Sequence, residues 1–125
     1  EKLNGFTVAR QKNAAVLSAE LQGISGVVPP VTKPGCTHVF HQYTIRANRR
    51  DELAAFLKEK GIGTGIHYPI PIHKQPYYTE LGYRDSLPVS EKAADDVISL
   101  PVHPALSGDD MQRIVKETRG FYIND

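Results

Sequence analysis

The sequence has no tryptophan, one methionine and one cysteine. A lone thiol, Cys36, cannot close a disulfide within the chain, which sets aside the disulfide-stapled scaffolds and agrees with a reducing compartment. No apolar run approaches the ~20 residues of a membrane span. The opening EKLNGFTVARQK shows no secretory signal. An excess of one charge is missing too. Fifteen basic and fourteen acidic residues leave a formal charge of +1, which gives no support to a nucleic-acid or membrane-surface partner. There is no internal repeat and no low-complexity segment. These absences point to a cytoplasmic globular protein without membrane or nucleic-acid business.

What remains is ordinary in amount: 125 residues, 40% of them hydrophobic, which suit one domain with a modest core. Residue 1 is glutamate and the chain opens inside a helical pattern, so a piece of a longer protein is expected. Leu3, Phe6, Ala14, Leu17 and Leu21 share a helical face, which predicts a helix over 2–22 ending at Gly23. Residues 23–35, with three glycines and three prolines, predict a loop with an extended middle. HVFHQYTIRA (38–47) predicts a strand with Val39, His41, Tyr43 and Ile45 on one face. Asn48 is placed to cap a helix carrying Leu53, Phe56 and Leu57, with Gly61 as its stop. Residues 62–68 predict a short strand, 77–83 a helical turn, and 90–99 a short helix with Ala94, Val97 and Ile98 inward. Ser107 and Asp110 fit a capping box. Met111, Ile114, Val115 and Thr118 then carry the last helix to Gly120. The order α, β, α, β, α, α predicts an α+β fold, a small antiparallel or mixed sheet covered by helices on one face.

One stretch stands out. GIHYPIPIH (65–73) gathers two histidines and a tyrosine between prolines. Pro69 and Pro71 lack amide donors, so the stretch is no interior strand. Restricted backbone freedom lowers the entropic cost of presenting polar groups to a ligand. His67, Tyr68 and His73 are therefore the candidate ligand-lining residues, with imidazole and phenol groups suited to sugar hydroxyls or phosphate oxygens. The plainer reading is a loop whose aromatics only pack.

Other chemistries find less support. His38, His41, His67, His73, His103 and Cys36 show no metal-ligand spacing, and residues 38 and 41 of a strand point to opposite faces. No metal is therefore expected. Cys36 in PGCTH reads as a small, partly buried side chain rather than a nucleophile. GIGTG (61–65) matches no phosphate-loop pattern. The pairs Asp95/Asp96 and Asp109/Asp110 read as solvated faces and caps.

Taken in order, HVFHQYTIR, RDELAAFLKEKGIGTGIHYPIPIHKQPYY, LGY and LPVSEKAADDVISLPVHPALS resemble the C-terminal domain of the DegT/StrS-type sugar aminotransferases. The resemblance runs from about Leu3 to Ile114. It implies the small domain of an aspartate-aminotransferase-like, fold-type I enzyme over residues 1–125, with 1–22 as a connecting helix. It further implies pyridoxal 5'-phosphate as cofactor, a nucleotide-linked keto sugar as substrate, an amino-acid donor (usually glutamate) and a homodimer. By match, His67 and Tyr68 reach the sugar-nucleotide site, with His73 as a further cleft residue. The family's Schiff-base lysine lies upstream of the matching region. None of Lys2, Lys12, Lys33, Lys58, Lys60, Lys74, Lys92 and Lys116 stands in its context. The resemblance thus implies no catalytic and no cofactor-binding residue here, and no transamination by these residues alone. Two competing expectations are a non-catalytic regulatory, ligand-binding or dimerisation module of the same fold, and a metal-binding domain using His38, His67, His73 or His103. As a piece of a larger protein, the chain is expected to expose apolar surface.

Overall fold

The computed structural model describes residues 2–123. The elements in order are α1 (Leu3–Leu21), β1 (Val27–Val28), β2 (Tyr43–Ala47) and α2 (Arg50–Glu59). A 3-10 turn (Ile72–Lys74) and the short α3 (Pro76–Glu80) follow. The chain finishes with α4 (Pro88–Asp96), β3 (Val97–Leu100) and α5 (Gly108–Ile123). The strands form an antiparallel sheet in the order β1-β2-β3, with Ile45 opposite Ile98 and Tyr43 opposite Leu100.

Alternation along β2 buries Tyr43, Ile45 and Ala47 and turns Arg46 outward. The buried face meets Ala14, Leu17 and Leu21 of α1, Leu53 and Leu57 of α2, and Met111, Ile114 and Val115 of α5 in one core. The three long helices thus cover one face, as the pattern predicts. Helix α4 adds a flank on the reverse side, where its residues and Arg46 border a shallow groove. On that side Thr44 Oγ1 and Ser99 Oγ lie 2.9 Å apart.

Local end signals act as expected at two places. The Gly61 N–H donates to the Lys58 carbonyl and the Ile62 N–H to the Leu57 carbonyl, which closes α2 with Gly61 at φ +72. At the start of α5, Asp110 Oδ2 accepts from the Ser107 N–H at 2.8 Å while Ser107 Oγ accepts from the Asp110 N–H at 3.1 Å.

Elsewhere the structure corrects the expectations. Only 43–47 of the 38–47 segment is strand. His38 Nδ1 accepts from the Phe40 N–H at 2.8 Å, and this local bond bends the chain. The opposite-face argument for His38 and His41 therefore does not apply. Residues 62–68 contribute only a single bridge, Gly65 to Ser99. Residues 97–99, expected in a helix, are strand, and β1 was not foreseen. Asn48 does not cap α2: its N–H donates to the Gly26 carbonyl, and Arg49, at φ 56, occupies the cap position and pairs with Glu52. Helix α5 runs through Gly120 to Ile123. Leu3 and Phe6 are exposed rather than part of the core, and Cys36 is exposed rather than partly buried.

Candidate functional site

Residues 66–90 contain no buried residue. Tyr68, Ile72, Tyr77, Leu81 and Val89 are each at least 60% exposed, so this excursion presents apolar surface. It is held by aromatic edges and one carboxylate. Tyr78 meets Tyr77 and Tyr83 edge-on, with centroids 5.4 and 5.8 Å apart. Glu91, in the first turn of α4, collects the other contacts. Lys74 Nζ donates to Oε2 at 2.5 Å, the Leu87 N–H donates to Oε1 at 2.9 Å, and His73 Nε2 lies 3.1 Å from Oε1. The hydrogen bonds from Lys74, His73 and Leu87, in that order of weight, hold the Glu91 carboxyl at about 2.

Between this excursion and α4 lies an open groove of about 720 Å³. His67, Tyr68 and His73 all line it, so the structure brings the three sequence candidates onto one wall. They are not equivalent. His67 and Tyr68 are exposed, their rings edge-to-face at 5.8 Å, and they are open to a ligand. The His73 side chain is only 9% exposed and its Nε2 is engaged by Glu91. Tyr83, Asp85 and Ser90 line the groove as well. Tyr83 belongs to the LGY motif, but no periodicity announces Asp85 or Ser90.

The position of His67 follows from the sheet. The Gly65 N–H donates to the Ser99 carbonyl at 3.1 Å and the Ser99 N–H returns to the Gly65 carbonyl at 2.7 Å. This bridge fixes the chain beside β3, two residues before His67. The imidazole then lies against the bare Cα of Gly65. The sequence pattern placed Gly65 only within the short strand expected over 62–68.

The lysines are placed for solvent. All eight are exposed, Lys74 is engaged by Glu91, and Lys92 Nζ pairs with Asp96 at 2.5 Å. None lines the groove. Among the described residues, no group of three or more His, Cys, Asp or Glu side chains is arranged to hold a metal ion. No described helix is long and apolar enough to cross a membrane.

Comparison with known proteins places this geometry. The chain is 47% identical to a pleiotropic regulatory protein of Geobacillus stearothermophilus, over 96% of this chain and 33% of that protein. It is 38% identical to the dTDP-3-amino-3,4,6-trideoxy-alpha-D-glucose transaminase of Streptomyces venezuelae, over 94% of this chain and 31% of the enzyme. In three dimensions it superposes on S. venezuelae DesV, solved in complex with a ketimine intermediate, with a TM-score of 0.92 and 36% identity, covering 98% of this chain and 33% of DesV. The chain thus spans about a third of the length of these relatives, and the fold matches the C-terminal part of fold-type I sugar aminotransferases. The pattern of the DegT/DnrJ/EryC1/StrS aminotransferase family matches residues 1–119, and the chain belongs to that family.

Proposed function

We propose that this chain is the small domain of a pyridoxal-phosphate transaminase that moves an amino group, from glutamate, onto a nucleotide-linked keto sugar. The groove is then one wall of the sugar-nucleotide cleft. His67 and Tyr68 bind and orient the substrate by hydrogen bonding to its hydroxyl or phosphate oxygens. The observation that carries this reading is their exposure on a wall braced from behind by Glu91, in a chain so similar to a named sugar transaminase. His73 contributes through Glu91, as part of that brace. Tyr83 and the apolar rim suit the flat faces of a base or sugar ring.

The residues described here do not fit the cofactor as its holders. Pyridoxal phosphate needs an amine that reaches its aldehyde, and no lysine of this chain lines the groove. The cofactor supplies the electron sink of transamination when bound; its lysine and phosphate contacts are assigned to a preceding large domain. On this reading the 125 residues alone do not transaminate. The exposed apolar surface of 68–89 and of Leu3, Phe6 and Val8 is what a further domain or the partner of a homodimer would cover.

A second reading is a regulator of the same fold, favoured by the 47% identity to a protein named as a pleiotropic regulator. Intact mass and absorption of the natural gene product separate the two. A chain about three times this length with a bound pyridoxal chromophore, turning over a keto-sugar nucleotide with glutamate, is the expected result. A chain without the chromophore and without turnover overturns the transaminase reading in favour of the regulator.

A further inference from the structure

A second depression, of about 420 Å³, lies behind His67 at the end of the sheet. The fold assembles it from four distant places. Antiparallel pairing of Tyr43 with Leu100 brings His41 and Gln42, which precede β2, beside His103, which follows β3. The Gly65–Ser99 bridge adds His67. Helix α1 supplies Arg10 and is anchored there by two side chains: Asn13 Nδ2 donates to the His103 carbonyl at 3.1 Å, and Gln11 Nε2 to the His38 carbonyl at 3.0 Å.

The lining is one-sided in chemistry. Arg10, His41, His67 and His103 border it, and among the described residues no aspartate or glutamate does. His103 lies within electrostatic reach of Asp110, whose carboxylate is engaged by the Ser107 capping box. Arg10 Nε is buried and has no hydrogen-bond partner among the described residues. A guanidinium keeps its charge in any surroundings, and a buried N–H without an acceptor costs free energy. Three other arginines have acceptors: Arg50 two carbonyls, Arg119 the Glu20 carboxylate and Arg113 the Lys60 carbonyl. A guanidinium whose buried Nε lacks a partner, three imidazoles that can each donate and a glutamine amide thus surround one concave space.

The geometry points to an oxyanion-binding site centred on Arg10, with His41 and His103 as further donors. The ligand chemistry is a carboxylate or a phosphate group. His67 borders both depressions, so an anion held here lies across the imidazole from the groove. Assignment to the carboxylate of the amino-acid donor, with the sugar nucleotide in the groove, rests on the proposed function. The anion site itself rests on the geometry alone.

Calorimetric titration of the intact protein with glutarate and, separately, with inorganic phosphate tests it. Arg10→Gln should weaken binding of the recognised anion about tenfold or more, and Arg10→Lys should restore part of it. Loss confined to glutarate marks a donor-carboxylate site, and loss confined to phosphate marks a phosphate site. Should Arg10→Gln fail to fold, the exposed pair His41→Gln/His103→Gln carries the same test. If the wild-type protein binds neither probe, or if the variants bind both as the wild type does, the inference is overturned. Binding heats need no turnover. Intact anion binding in a protein with no transaminase activity would remove the proposed function and leave this site standing.

Discussion

The imidazole of His67 rests on Gly65 so closely that a Cβ at position 65 would fall 2.5 Å from His67 Cε1. The contact is with a movable, exposed ring and not with backbone. Gly65 also has no positive φ that would penalise a side chain. Gly65→Ala should therefore fold and melt nearly as the parent does, while the ring is pushed aside. In the intact protein we expect KM for the keto-sugar nucleotide to rise several-fold with little change in melting temperature. A large loss of stability with unchanged KM would show that the glycine serves the bridge to Ser99 and not the imidazole.

Replacing both groove donors is the direct test of the wall. His67→Ala/Tyr68→Ala should raise KM for the sugar about tenfold, the order expected for losing hydrogen bonds to a charged or polar ligand. The cofactor absorption spectrum should stay as it is, because neither residue is assigned to the cofactor. Unchanged sugar kinetics would remove both residues from the site.

Glu91 ties the segment carrying these residues to α4. Its carboxyl titrates at about 2 in the fold, against 4.5 for a free glutamate. A depressed carboxylate stabilises the fold in full above its unfolded value and loses that contribution as pH falls. The clasp should thus be complete at neutral pH and weaken progressively from about pH 4.5 toward about pH 2. Glu91→Ala should flatten this acid limb and speed hydrogen exchange at the Leu87 amide at neutral pH. Equal exchange in variant and parent would mean that the Leu87 turn is held by other contacts.

Arg50 is buried, and its Nη1 donates to the carbonyls of Ala94 and Val97, both at 3.0 Å. These carbonyls sit where α4 gives way to β3. Arg50→Ala takes this donor from the buried Ala94 carbonyl and the part-buried Val97 carbonyl and should cost about 3 kcal/mol, read from denaturant unfolding. A loss below about 1 kcal/mol would indicate that water replaces the guanidinium.

The residues whose partners lie three or four positions away were legible in the sequence. The Ser107–Asp110 box, the Gly61 stop and the stripe Met111, Ile114, Val115 and Thr118 are set by local bonds and helical spacing. The ordered motifs gave the family, and the stiff HYPIPIH stretch gave His67 and Tyr68 as ligand-lining candidates. Tertiary structure decided the rest. Residues 97–99 carry on the helical pattern of α4, yet Ile45 and Thr44 offer a strand edge and Arg50 takes the Ala94 carbonyl that would have continued the helix. Asn48 ends the β1–β2 pairing, its N–H on the Gly26 carbonyl, and Arg49 in a left-handed conformation stands at the cap position of α2 instead. His73 lines the groove but has its Nε2 engaged by Glu91, eighteen residues away. Arg10 gained histidine neighbours from three other segments only when the sheet closed. Local spacing records contacts within one turn of helix or one step of strand; contacts that depend on how elements pack leave no period along the chain.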